Sequence, residues 1–408
     1  MYLFRWLTSR TVRKAGELAD VVKKILNHQR DRLSAEAINA VETALRDFHA
    51  LIRSGANTEA IKEAMSSLEK TANEHLKAYP NAGFRENLVM FLEIAILIVG
   101  SRAFLIQPMV IPTGSAQPTL WGITSQDLRG QPGVQVPSFP KRFWERWVDG
   151  VSYYQIAAAE DCTVLGVSRT PFTPGLRFKL PILNCVEVRT DRGNHRLWFP
   201  PENHHQHLGF TLTSRAGDIR PYEVKAGDSI VKSRVVTGDH LFVERVTYNF
   251  RRPHRGETIV FRSEHHPGMT EDTHYIKRLV GLGGERIRIG DDRHTYIDGR
   301  KLTTNDYGFS QVFAFDPAVP PRSDHYSGHV NGTVWQRTTG FPGPTYNFPD
   351  DQTEVSIRPG HLVCFGDNTM NSGDSRIWGQ PDFPQERVIG KSCFVFWPFT
   401  KRFGWGQK

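Results

Sequence analysis

The sequence predicts a mainly β protein with a helical N-terminal region and a single apolar helix ahead of the β part. Three observations carry this: a turn-rich composition, a change of texture near Phe84, and a series of short strand-like runs after Gln107. Glycine (35) and proline (25) together make up about 15% of the 408 residues, which suits turn-rich β structure better than a helix bundle. The length allows two or three units. Apolar residues at 39% and charged residues at 23% exclude both a polytopic membrane protein and a mostly disordered chain. Four cysteines without a CxxC exclude a disulfide scaffold and a zinc ribbon. A net charge of +8 points to an anionic partner, nucleic acid or lipid head groups, without choosing between them.

Before Phe84 proline is nearly absent. Ile38, Val41, Leu45, Phe48 and Ile52 recur at helical spacing behind Ser34, which stands where an N-cap belongs. Gly55 ends that helix, and Ile61, Met65, Leu68 and Ala72 begin another stripe, giving an antiparallel helical hairpin. Leu18, Val22 and Ile25 suggest an earlier helix. A DNA-reading helix-turn-helix is the sharper alternative, but basic and acidic residues interleave and form no single face.

Residues 88–105 (LVMFLEIAILIVGSRAFL) are the candidate membrane span. They offer ~18 residues where about 20 are needed, and Glu93 and Arg102 interrupt them, each placed to snorkel from near an end. On hydropathy alone a buried amphipathic helix fits equally well. Lys70, Lys77 and Arg85 precede the segment and residues 106–125 contain no Lys or Arg, so the positive-inside rule puts the N-terminus in the cytoplasm. No cleavable secretory signal is expected ahead of it, because the first helices are polar.

Beyond Gln107, Thr258–Arg262 (TIVFR), residues 275–280 (YIKRLV), Arg286–Ile289, His361–Phe365 (HLVCF) and residues 393–397 (CFVFW) read as strands. Asp298-Gly299 between short β-prone pairs is a hairpin signal. Two aromatic, proline-rich stretches, about 122–232 and 305–359, break this rhythm and read as insertions on a β core.

Three stretches can carry chemistry. In Pro112-Thr113-Gly114-Ser115-Ala116, a serine after glycine can sit on a sharp turn beside an exposed N–H and a threonine hydroxyl, the parts of a nucleophile with an oxyanion hole. Ordinary turn chemistry accounts for the same residues. Lys277 shares one strand face with Tyr275 and Leu279, while Arg278 points to the other. Were that face buried, desolvation would lower the amine's pKa by up to ~3–5 units and leave a base able to take a serine proton. An edge-strand lysine facing water is the other reading. Finally, residues 366–379 (GDNTMNSGDSRIWG) follow a strand as a structured loop, which an Asp374–Arg376 pair could fix. His204, His205 and His207 lack a partner carboxylate or cysteine at ligand spacing and read as a solvated loop. Gly281-Leu282-Gly283-Gly284 opens no helix, so it is not read as a phosphate loop. Cys364 and Cys393 read as packed thiols, and Cys162 and Cys185 as a pair if their region lies outside the cytoplasm.

Taken together, the apolar segment, IPTGSAQPTL, YIKRLVGLGGE and GDNTMNSGDSRIWG, in that order, resemble the type I signal peptidase family in its long form. Residues 238–243 (GDHLFV) and 255–261 (RGETIVF) are similar to two further strands of that family. The resemblance covers roughly residues 86–120, 232–290 and 360–398. It implies an antiparallel β-sheet catalytic domain and a membrane-anchored serine endopeptidase that removes signal peptides after small residues of the Ala-X-Ala type. It implies Ser115 as nucleophile and Lys277 as general base, with Ser372 orienting the amine and Thr113 lending its hydroxyl to the oxyanion hole. Arg278, Asp374 and Arg376 are implied as structural ion-pairing residues. The partners implied are preprotein signal peptides and membrane lipids, with no nucleic acid, metal or organic cofactor. The layout implied is a cytoplasmic helical region at 1–85, a transmembrane helix at 86–106 and an extracytoplasmic domain at 107–408, in the cell inner membrane. Departures are Ala116 where methionine is usual, a position the resemblance ties to cleavage preference, Thr369-Met370 for Arg-Asp, and Gly283 and Glu285 where Pro and Asp are common. Two rival readings are a soluble, self-cleaving SOS-repressor-type protease and an inactive membrane-tethered β module binding envelope proteins.

Overall fold

A computed structural model describes residue 6 and residues 9–77, 81–131, 133–171, 184–201, 203–214 and 217–405. The N-terminal unit, residues 1–97, contains helices α1 (Arg10–Gln29), α2 (Ala35–Arg53) and α3 (Thr58–His75). Ser34 caps α2 by accepting from the Ala37 N–H at 3.2 Å, and Gly55, at φ +87°, turns the chain out of that helix. Asn57 caps α3 in the same way. The apolar stripes meet in one core of Val12, Val22, Leu26, Val41, Phe48, Ile61 and Leu68, so the unit is a three-helix arrangement rather than a hairpin alone. Helix α4 (Ala82–Phe104) contains a run, Gly83–Phe104, of mean hydropathy 1.8, long and apolar enough to cross a membrane, with none of it buried.

The second unit begins at Ile98 and is built on an eight-stranded antiparallel sheet. Its strands are β1 (Ile106–Val110), β2 (His240–Glu244), β3 (Thr258–Arg262), β4 (His274–Leu282), β5 (His361–Phe365), β6 (Phe383–Pro384), β7 (Val388–Trp397) and β8 (Gly404–Trp405). The order is β1-β2-β7-β3-β4-β5-β6, with β8 on β7. Two apolar clusters flank the sheet centre, one around Ile259, Leu279, Cys364 and Trp378, the other around Val280, Ile287, Phe309, Val363 and Phe365. Alternation along β4 therefore sends Leu279 and Val280 to opposite cores. Asp298 and Gly299, at φ +47° and +79°, make the expected tight turn, pairing Ile297 with Arg300.

The stretch about 122–232 departs from the expectation of a break in β rhythm. It forms a three-stranded sheet (Thr124–Asp127, Ser229–Val236, Val151–Ala157) and a four-stranded one (Gly193–Trp198, Asn184–Thr190, Cys162–Pro171, Asp218–Val224) over a shared core. Period-two burial is present in SIVKSRVV, whose Ile230, Val231, Ser233 and Val235 point inward, but surrounding prolines and aromatics mask it in the sequence. No disulfide joins Cys162 and Cys185. Cys185 pairs across from Thr170, eight residues along the strand that holds Cys162, which at about 3.3 Å per residue is far beyond bridging distance. This corrects the pairing expectation. His204–His207 forms a helical turn, and among the described residues no group of His, Cys, Asp and Glu could hold a metal ion.

Candidate active site

The segment that leaves β1 runs Ile111-Pro112-Thr113 into a single 3₁₀ turn, Gly114–Ala116. Its path is fixed by Asp239, fully buried, whose carbonyl accepts from the Ile111 N–H at 2.9 Å and whose carboxylate accepts from the Trp121 N–H at 2.8 Å. Arg402 clamps the same carboxylate through Nε and Nη2. The turn itself is gripped by Asn368, whose N–H donates to the Ser115 carbonyl at 3.1 Å and whose Nδ2 donates to the Gly114 carbonyl at 2.8 Å. A Cβ at Gly366 would lie 2.4 Å from the Ser115 carbonyl and 2.1 Å from Ser372 Oγ, so only glycine lets the 366–379 loop approach this closely.

Lys277 sits in β4 opposite Ile259 of β3, on the buried face, and is 4% exposed. Its Nζ donates to Ser115 Oγ at 2.6 Å, and Ser115 is itself 7% exposed. The buried-face alternative is thus the one realised. Burial lowers the Lys277 pKa from 10.5 to about 8, the charge of Asp374 resisting the fall. A buried amine in contact with a serine hydroxyl is at hand to take its proton near neutral pH.

The other expected residues surround this pair. Arg278 points to the opposite face and forms a bidentate pair with Asp367, at 2.7 and 2.6 Å, while its Nη1 donates to the Gly256 carbonyl. Asp374 and Arg376 form the pair read from the sequence, through Nε at 2.9 Å and Nη2 at 2.8 Å, both residues fully enclosed. Burial opposes the Asp374 charge, but the guanidinium and two backbone N–H groups override it and hold the carboxyl below its ordinary range. Thr113 stands exposed, with extended backbone, directly before the turn. Ser372 Oγ is buried without a hydrogen-bond partner among the described residues, so its expected bond to the Lys277 amine is not formed. Ala116 lies in a core with Leu120, Leu241, Val243 and Val260.

Several supporting residues escaped the sequence reading. Asp367, Asn368 and Asp239 lie inside quoted motifs, yet nothing in their spacing says which cation or carbonyl each one meets. Thr369, where the family has arginine, accepts from the Val330 N–H at 2.9 Å and from Arg376 Nη1 at 2.8 Å. Asn347 donates to the Ser375 and Trp378 carbonyls at 2.9 and 2.8 Å, and the Tyr326 hydroxyl meets Thr119, which bonds to Asp367. Residues of the 305–359 stretch therefore brace the site loop directly.

A serine hydroxyl facing a buried lysine amine on an antiparallel sheet is the geometry of serine hydrolases that work with a lysine partner. Residues 205–397 match the family described as signal peptidase, peptidase S26, a span that includes Lys277 and Ser372 and begins after Ser115. A signal peptidase I of Pseudomonas fluorescens is 26% identical over 219 residues, covering 48% of this chain and 71% of that one. A probable signal peptidase I-2 of Synechocystis is 29% identical over 209 residues, covering 50% and 78%. Signal peptidase I T of Bacillus subtilis is 29% identical over 164 residues, covering 40% and 67%. A signal peptidase I structure from Enterococcus faecalis, 24% identical, covers 35% of this chain and 97% of that one at a TM-score of 0.22, too low to argue from. Just under half of the chain thus matches the signal peptidase, peptidase S26 family, and the chain is similar to type I signal peptidases over that part.

Proposed function

We propose that this chain is a membrane-anchored endopeptidase that removes N-terminal signal peptides from exported preproteins, cutting after small residues, with Ser115 and Lys277 as its catalytic pair. The 2.6 Å contact between Lys277 Nζ and Ser115 Oγ, inside the protein, is the observation that carries the reading. Neutral Lys277 takes the hydroxyl proton as Ser115 Oγ attacks the scissile carbonyl. The Ser115 N–H and the Thr113 hydroxyl receive the oxyanion, and Lys277 passes its proton to the leaving amine as the C–N bond breaks. Water then enters, gives a proton to the same amine and attacks the ester carbonyl; as the ester C–O bond breaks the amine passes that proton to Ser115 Oγ, releasing the signal peptide's carboxyl group and regenerating both residues. Ser372, whose buried hydroxyl has no partner among the described residues, would orient the amine by turning to it during the reaction. Arg278, Asp374 and Arg376 hold the surrounding loops and do not touch the substrate. The mechanism draws on no metal and no organic cofactor.

In the same reading, residues 1–85 are cytoplasmic, 86–106 span the inner membrane and 107–408 lie outside the cytoplasm. The uncharged flank after α4 and the basic one before it support that orientation. The test uses purified, detergent-solubilised protein and a preprotein with Ala-X-Ala before its mature start. Wild type, Ser115→Ala and Lys277→Ala are compared by product mass. A cut after the second alanine, lost in both variants, is expected. No cleavage by folded wild type, or cleavage surviving in either variant, would refute the assignment.

A further inference from the structure

Helix α5 (Phe139–Val148, FPKRFWERWV) is amphipathic in the reverse sense. In a soluble domain the apolar face of a surface helix is turned to the core. Here Phe139, Phe143, Trp144 and Trp147 are 71%, 55%, 66% and 61% exposed, and no residue of the helix is buried. At 3.6 residues per turn these four rings fall within an arc of about 140°. The side turned to the protein carries only two half-buried residues, Val148 and Glu145, and Glu145 meets Tyr153 of the strand Val151–Ala157. Lys141, Arg142 and Arg146 flank the aromatic arc, and the Arg146 guanidinium also lies 5.7 Å from the centre of the Phe199 ring.

The helix is firmly tied to the catalytic sheet. Trp397 Nε1 donates to the Trp147 carbonyl at 2.8 Å and the Phe399 N–H to the Val148 carbonyl at 2.9 Å. Trp397 pairs with His240, and His240 with Val110 at the end of β1. Strand β1 starts two residues after α4 ends. From that exit point the end of α5 is reached by about 13 Å along β1 and two strand spacings of about 5 Å each. Four exposed rings flanked by basic side chains, this near the end of an apolar helix, have the composition of a helix lying in a membrane interface, its rings among the upper acyl chains and its Lys and Arg at the phosphates.

The geometry points to α5 as an interfacial helix that seats the catalytic unit on an anionic lipid surface, independently of the spanning helix. This rests on the membrane-anchored reading above. It assigns the exposed aromatic face to lipid rather than to a second copy of the chain or to another protein.

The full chain is reconstituted into phosphatidylcholine vesicles containing phosphatidylglycerol, with or without bromine on the acyl chains, and separated by flotation. Fluorescence of wild type minus that of a Trp144→Phe/Trp147→Phe variant isolates the two α5 rings. Their signal is expected to fall roughly twofold in brominated vesicles, as it does for rings within the acyl region. A variant with Phe143→Ser, Trp144→Ser and Trp147→Ser should still float and still cleave a soluble substrate in detergent. Protein that floats while the two rings escape quenching would overturn the α5 assignment and leave the anchor standing. Protein that fails to float would overturn both. A dimer in detergent that this triple variant dissolves would give the face to a second copy and equally overturn the lipid assignment.

Discussion

Replacing Lys277 with methionine should abolish turnover and stabilise the protein at neutral pH. The amine is enclosed, and burial brings its pKa from 10.5 to about 8, a difference of about 3 kcal/mol against the ammonium. Methionine has nearly the same shape and carries no charge. Losing the bond to Ser115 Oγ costs about 1 kcal/mol, leaving a net gain of about 2 kcal/mol below pH 8. For a chain this size that corresponds to a rise of about 2–3 °C in Tm. The sign depends on pH. Because the folded lysine has the lower pKa, the unfolded chain holds more protons between about pH 8 and pH 10.5, so wild type gains stability as pH rises through that window. Lys277→Met lacks the titrating group and gains nothing there, so its advantage should shrink and vanish near pH 10. Thermal unfolding in detergent at about pH 6 and about pH 10 reads the difference. A variant less stable than wild type at low pH, or a gap that does not change with pH, would refute the argument that Lys277 is held against its own charge.

Three other outcomes follow from the same geometry. Cleavage should rise about tenfold per pH unit below pH 8 and level off above it, since only the neutral amine can accept the serine proton; a flat profile from pH 5 to pH 9 would contradict this. Thr113→Val should lower kcat by about 10²–10³ with little change in KM or Tm, and undiminished turnover would remove Thr113 from the oxyanion hole. Asn347→Ala leaves the Ser375 and Trp378 carbonyls without their donor, so Tm should fall by the equivalent of about 1–3 kcal/mol and kcat should drop with it. Unchanged values in both measurements would show that the loop stands without this support.

The strands of the catalytic sheet were legible in the sequence because they are short, rich in Val, Ile and Phe, and bounded by turn residues. TIVFR and HLVCF occupy the residues read for them. The helices of the N-terminal unit were equally plain, since apolar spacing and the caps at Ser34 and Gly55 agree. Ser115 and Lys277 were each open to an ordinary explanation, and what the sequence could not disclose is their meeting, across 162 residues of chain. What could not be read is partner choice. Arg278 next to Lys277 says nothing of Asp367, and Asp239 in a Gly-Asp strand says nothing of Arg402. The seven strands of 122–232 were hidden for another reason: their alternation is carried by short segments diluted among prolines and aromatic loops. Cys162 and Cys185 show the limit of spacing arguments, because register, which the sequence does not disclose, sets them at opposite ends of a strand pair.

The bracing of the site loop by residues 326–347 changes what can be transplanted between relatives. Thr369 is 1% exposed, with its hydroxyl shared between Val330 and Arg376. An arginine, usual in the family at this position, would lose that shared hydroxyl and set a second guanidinium beside that of Arg376. A miniaturised enzyme made by trimming the 305–359 stretch would therefore have to recover the missing charges at 369 and 370 in the same step. Conversely, a chimaera that restores those charges while keeping the stretch would set two supports against each other. The loop and the segment leaning on it form one exchangeable part, and sequence comparisons that score them separately will misjudge both.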